Sequence, residues 1–150
     1  METEENKYYI PEIEEFHIGF EYEYCNGPLE ENDWEKDIIS EYDFSSHTSG
    51  GVSCENWFEE IYKELRSTRV KYLDQEDIES LGWKFIKHHP GTTQLDFKKG
   101  IYYLDFDSNF RGKSWLRIYE GDNQSEEFNF FTGFIKNKSE LKILMKQLGI

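Results

Sequence analysis

The amino-acid sequence predicts an α+β fold, in which an antiparallel sheet (a meander of four or more strands) is packed by two to three helices on one face. Two observations support this prediction. Between residues 83 and 135, short apolar runs alternate with glycine- and proline-containing turn signals, as in strands joined by tight connections. Residues 54–66 and 138–148 instead place apolar side chains at helical spacing, which indicates helices with one buried face.

The clearest strand signal is FHIGFEYEY, residues 16–24. Every second residue is apolar or aromatic, so the predicted strand has an aromatic inner face, while Glu21 and Glu23 lie on the other face. Asn26-Gly27 is a strong turn signal. A second strand is expected within residues 34–42, where the pattern is weaker.

The helices are predicted from their ends as well as from their apolar stripes. Residues 45–53 form a predicted polar loop, and Ser53 is a suitable N-cap for the helix at 54–66. Asp74 is expected to cap a short helix that ends before Gly82. Asn137 and Glu140 form a capping pair for the last helix, which Gly149 ends. Strands are predicted at 69–73, 83–89, 101–106, 115–119 and 127–135, with a loop at 108–113.

Length and composition fit a single domain over residues 1–150, with residues 1–7 a flexible acidic arm. Aromatic residues make up 17% of the chain, enough to build a sizeable core despite the polar surface. The acidic start METEENK has no hydrophobic segment, and no run of 18 apolar residues occurs. We therefore expect a cytoplasmic protein without a membrane partner, whose two cysteines, Cys25 and Cys54, are reduced.

The net charge of −14 is distributed unevenly. Residues 1–60 contain 18 Asp and Glu but only two Lys, a balance of −16, whereas residues 61–150 contain 13 acidic and 15 basic residues, a balance of +2. A field of this sign repels nucleic acid and anionic lipid and attracts basic partners, so no direct nucleic-acid binding is expected. The alternative is that the acidic surface serves solubility only.

Two hypotheses of function follow from these patterns. In the first, the acidic first half binds a basic surface of another protein, through Glu12, Glu14, Glu15, Glu21, Glu23, Glu30, Glu31 and Asp33. In the second, aromatic and basic residues of the second half bind a small nucleotide-like ligand and sequester it, with a homodimer interface as one location. The residues expected there are Trp83, Arg111, Trp115 and Arg117. The alternative for these residues is structural: Trp115 lies in the core, and Arg117 reaches past it to the acidic first half.

No motif in the sequence indicates catalysis, a metal or a cofactor. The four histidines and two cysteines lack the spacing of zinc ligands, and there is no nucleophile elbow of the GxSxG type. Asp105 and Asp107 share a predicted strand face, but they lack the spacing of a calcium loop. The loop at 45–53 has no lysine and no phosphate-binding motif. We therefore expect a protein without catalytic residues, metal or cofactor.

Three stretches resemble a group of short proteins of tailed bacteriophages, chiefly those that infect Bacteroidetes. They are YYIPEIEEFHIGFEYEY (8–24), RVKYLDQEDIESLGWKF (69–85) and GFIKNKSELKILMKQLGI (133–150). The resemblance covers nearly the whole chain except the middle of residues 26–56. It implies an accessory protein that acts in the bacterial host cytoplasm, for example by inhibiting a host defence or nucleic-acid-handling protein. That group contributes no functional residue.

Overall fold

The computed structural model describes residues 7–25, 33–41, 68–121 and 129–150. The chain divides into two compact units, Met1–Tyr72 and Leu73–Ile150. Each unit contains its own antiparallel sheet and its own cluster of buried side chains. The predicted flexible arm at 1–7 (apart from Lys7), the loop at 45–53 and the helix at 54–66 lie outside the described residues.

The N-terminal unit contains a four-stranded sheet in the order β1-β4-β2-β3. Its strands are β1 (Tyr8–Tyr9), β2 (Glu21–Cys25), β3 (Trp34–Ile38) and β4 (Thr68–Lys71). All three pairings are antiparallel. Glu23 lies in the middle of β2, opposite Lys36 on one side and Arg69 on the other.

The predicted strand at 16–24 is shorter in the structure, where β2 begins only at Glu21. Residues 13–15 form a 3₁₀ turn. Gly19 then adopts a positive φ of 88°, and the Phe20 amide donates to the His17 carbonyl oxygen at 2.9 Å. This turn interrupts the alternation because glycine alone takes such a conformation without a steric penalty. Phe16 and Phe20 are nevertheless buried.

The C-terminal unit contains a five-stranded meander in which each strand pairs with the next along the chain. Its strands are β5 (Lys84–His88), β6 (Gln94–Lys99), β7 (Tyr102–Phe110), β8 (Lys113–Glu120) and β9 (Asn129–Phe134). Two helices accompany them, α1 (Gln75–Ser80) and α2 (Lys138–Leu148). The predicted caps are confirmed: Asp74 accepts from the Asp77 amide, and Asn137 accepts from the Glu140 amide.

One face of the meander and both helices share a single hydrophobic core. Alternate residues of the central strands point into it, and neighbours across the strands match in register, as Leu104 does with Phe97 and Ile118. The helices contribute Ile78, Leu141 and other apolar side chains of the same cluster. Hydrophobic burial on this face therefore stabilises the C-terminal unit.

The predicted fold class is confirmed in its main feature, since the described residues form antiparallel sheets with few helices. The prediction of one sheet is wrong, because the strands divide into sheets of four and five. The predicted loop at 108–113 is also wrong. β7 continues to Phe110 and β8 begins at Lys113, so only Arg111 and Gly112 form the connection. The single domain over residues 1–150 stays a prediction.

The β7–β8 turn generates the first testable prediction. Arg111 has a φ of 53°, the one positive value for a residue other than glycine among the described residues, and Gly112 has a φ of 77°. An asparagine tolerates this conformation better than an arginine. Arg111→Asn should therefore raise the free energy of unfolding by about 1 kcal/mol in urea denaturation. Gly112→Ala should lower it by a similar amount, and a loss of stability in Arg111→Asn would contradict the prediction.

Candidate functional site

The acidic residues that the sequence assigned to protein binding occupy different environments. Glu12, Glu14 and Asp33 are exposed, Glu15 and Glu21 are half-buried, and Glu23 is buried. Glu30 and Glu31 lie outside the described residues. Three of the predicted acids are therefore exposed in the part of the chain that the structure describes.

Glu23 belongs to an internal ion pair of the N-terminal sheet. Its Oε2 accepts from Arg69 Nε at 2.7 Å, and the glutamate side chain is only 12% exposed. The Arg69 guanidinium carbon lies 3.8 Å from the ring centre of Tyr8 and 4.2 Å from that of Trp34. A guanidinium close to two aromatic rings, with a carboxylate at its edge, is well neutralised and well packed. Glu23 consequently holds strands together and does not present a charge to a partner.

Glu15 also has an internal role. Its two carboxylate oxygens accept from the Tyr9 hydroxyl at 2.7 Å and from the Glu12 amide at 2.8 Å. These bonds fix the 3₁₀ turn against the end of β1. The acidic side chains that remain at the surface of this turn are Glu12 and Glu14.

Sequence reasoning missed the acidic residues of β3. Glu35, Asp37 and the intervening Lys36 are exposed, and so is Ile38, at 54%. Glu35 accepts from the Tyr24 hydroxyl at 2.9 Å, and Asp37 accepts from the Tyr22 hydroxyl at 3.1 Å. These bonds orient the carboxylates without burying them. The weak alternation of residues 34–42 is itself a signal, since charged side chains on both faces are typical of an edge strand.

The second face of the C-terminal meander carries charged residues across its middle. A row of directly opposed residues crosses four pairings: Lys87, Asp96, Asp105, Arg117 and Thr132. Asp96 and Asp105 are both buried, at 7% and 2% exposure. Carboxylates on adjacent strands repel each other unless each has its own cation.

Asp105 is bound by Arg117 and Tyr119. Arg117 contacts its Oδ2 through Nη2 and, at 3.1 Å, through Nε, and the Tyr119 hydroxyl donates to Oδ1 at 3.2 Å. The guanidinium carbon of Arg117 lies 4.8 Å from the Tyr119 ring centre. Both oxygens of the carboxylate are therefore satisfied within the sheet, which leaves Asp105 unsuited to general acid–base work on a substrate.

Asp96 has a separate set of partners. His89 Nε2 lies 2.8 Å and Lys87 Nζ 3.5 Å from its Oδ2, and Gln94 donates to Oδ1 at 3.3 Å. Asp107, the third acid of this face, accepts from the Thr93 hydroxyl and from the Asn109 amide. The described residues contain no group of three or more His, Cys, Asp or Glu arranged to hold a metal ion.

The four residues expected to bind a nucleotide are not brought together as a set. Trp83 is 2% exposed in the hydrophobic core, where its indole Nε1 donates to Met145 Sδ at 3.4 Å. Arg117 is held by Asp105, a residue of the second half. Arg111 and Trp115 each lie close to the ring of Phe110, at the end of the β7–β8 hairpin.

Comparisons with known proteins return no match: no family model fits the chain, and neither a curated protein nor a solved structure is similar to it. Within the described residues, no helix combines the length and the apolar character that crossing a bilayer requires.

The Asp105–Arg117 pair should be important for stability. Arg117→Met keeps the length of the side chain but leaves a 2%-exposed carboxylate without its cation, so we expect the free energy of unfolding to fall by about 3 kcal/mol. Urea denaturation measures the loss. Asp105→Asn in the Arg117→Met background should recover part of it, and additive losses would show that the two groups do not interact.

Charge reversal should lower the free energy of unfolding at an internal acid of the N-terminal unit but not at a surface acid. Glu23→Lys places an ammonium beside Arg69 and should lower the free energy of unfolding by about 3 kcal/mol. Glu14→Lys changes an exposed residue and should stay within about 0.5 kcal/mol of the unaltered protein. Equal thermal stability of the two variants would contradict the internal role of Glu23.

Proposed function

We propose that the chain is a non-enzymatic protein-binding module whose acidic N-terminal unit occupies a basic surface of a partner protein. The observation that carries the proposal is β3, a strand with acidic side chains exposed at the edge of the sheet. The phage resemblance implies a host protein of the bacterial cytoplasm as that partner, one that acts in defence or handles nucleic acid.

The charge of the N-terminal unit supports this proposal. Residues 1–72 contain 19 Asp and Glu but 6 Lys and Arg, a balance of −13, and Glu12, Glu14 and Asp33 are exposed where the structure describes this unit. Concentrated negative charge steers a basic partner towards the surface and accelerates association at low salt.

The geometry of β3 also supports it. In the described ranges, β3 pairs with β2 on one side only, so its outer edge faces away from the sheet. Glu35 and Asp37 project from one face of the strand, with Lys36 and the 54%-exposed Ile38 on the other. Along this edge, exposed carboxylates on one face and an exposed aliphatic side chain on the other provide charge complementarity and apolar contact area for a protein partner.

The test is retention of basic proteins from a bacterial lysate by the immobilised full chain, followed by affinity measurement with the retained protein. We expect binding that weakens by at least about tenfold between 50 mM and 500 mM salt. Asp33→Asn combined with Glu35→Gln should weaken binding by about tenfold at low salt, since both substitutions remove charge while keeping side-chain shape.

A matched control removes the same charge from the other unit. Glu76→Gln combined with Glu79→Gln alters two exposed residues of α1 and should leave affinity within about twofold. Salt-independent binding, or equal losses in the two double variants, would refute the proposal. Either result would mean that the acidic surface does not make the contact.

A further inference from the structure

The end of the β7–β8 hairpin has an unusual concentration of aromatic and basic side chains. This hairpin cluster consists of Phe110, Arg111, Lys113, Trp115 and Phe134. The Phe110 and Trp115 ring centres are 5.6 Å apart, and Trp115 lies directly opposite Phe134 in the β8–β9 pairing. The Arg111 guanidinium carbon is 5.3 Å from the Phe110 ring centre, and Lys113 Nζ is 5.5 Å from that of Phe134.

The cluster is accessible to a ligand. Phe110 and Phe134 are 38% and 51% exposed, Trp115 is half-buried, and both cations are exposed. Large aromatic side chains at the surface are costly to leave in water, so several together mark a contact site. The nearest described carboxylate by register is that of Asp107, opposite Trp115, and it accepts from Thr93 and from the Asn109 amide.

Arg111 occupies a position that local structure does not favour. Both residues of this two-residue turn have positive φ, which asparagine, aspartate and glycine accommodate more readily. An arginine here therefore carries a backbone cost that its role in the turn does not explain. The arginine side chain accounts for its presence at this position, because the guanidinium lies over Phe110 beside the exposed rings.

We infer that the hairpin cluster binds a nucleotide, with the base stacked on the exposed aromatic and guanidinium surfaces and the phosphates held by Arg111 and Lys113. Aromatic rings accept any base through its π face, and arginine both stacks on a base and pairs with phosphate. The site lies in the C-terminal unit and uses none of the acidic residues of the proposed protein-binding surface. A test of the nucleotide site therefore does not depend on whether the proposed protein-binding function is correct.

A free mononucleotide fits this site better than a nucleic-acid strand. The whole chain has a net charge of −14, which repels a polyanion over a long distance, whereas a single nucleotide carries few charges and needs few cations. The cluster supplies two exposed cations and a ring surface formed by three aromatic side chains. These features match one base with its adjoining phosphates.

The experiment is isothermal titration of the full chain with ATP, adenosine, tripolyphosphate and a short oligothymidylate. We expect ATP to bind, and adenosine and tripolyphosphate to bind at least about fivefold more weakly, because each lacks half of the recognised chemistry. Arg111→Asn should weaken ATP binding by at least about fivefold while the melting temperature stays equal or rises. Phe134→Leu removes a ring on which the base can stack, at a 51%-exposed position, so it should also weaken ATP binding without unfolding the unit.

Lys84→Gln is the matched control, because it removes an exposed positive charge from β5 at the opposite end of the sheet. It should leave ATP affinity within about twofold. The inference is overturned if ATP does not bind the folded chain at millimolar concentration, or if Arg111→Asn binds ATP as well as the unaltered protein does. Equal affinity for tripolyphosphate would indicate a simple anion site, and tighter binding of oligothymidylate would indicate a strand-binding site. Both of these results also overturn it.

Discussion

A carboxylate that is buried against a β-sheet has lost its water and must gain a cation in exchange. Both units of this protein meet that requirement in the same way. Glu23 is paired with Arg69 and Asp105 with Arg117, in each case from the directly opposed position of the neighbouring strand. Both guanidinium groups also lie over aromatic rings. A planar, delocalised cation can hydrogen-bond at its edge while its faces pack against rings, which a lysine ammonium cannot do.

These pairs also constrain the register of the two sheets. A shift of one residue would move each carboxylate to the opposite face and leave its arginine without a partner. In the C-terminal meander that shift would also remove Leu104 and Phe106 from the hydrophobic core. Apolar burial on one face and ion pairing on the other therefore favour the same alignment of strands, so the two interactions do not compete.

The same pairs decide which charges are left for partners. Glu23 and Arg117 are both attractive functional candidates in the sequence, yet each is neutralised within its own sheet. The exposed charges of the described residues include the acids around β3 and the cations at the end of the β7–β8 hairpin. The two proposals use these separate surfaces, one for a basic protein and the other for a nucleotide.

Local patterns were sufficient for much of the C-terminal unit. Asn137, Glu140 and Gly149 mark the ends of α2 because capping depends on residues within one turn of the helix. The alternation of residues 16–24 predicts the start of the strand less well. Gly19 adopts a positive φ that ends the extended conformation, and the apolar–polar pattern does not indicate this. The polar residues of 108–113 predict a loop, whereas the structure has a two-residue turn with an arginine at positive φ, which the residue types do not indicate.

The sequence by itself determined the antiparallel strands, the capped helices and the uneven charge, because each depends on neighbouring residues or on simple counts. Only the tertiary structure decided that the strands form two sheets and that Trp83 lies in the core while Trp115 lies near the surface. It also decided which carboxylates are paired. The physical reason is that strand pairing joins residues far apart in the chain, and the partner across the strand determines whether a charge is neutralised or exposed.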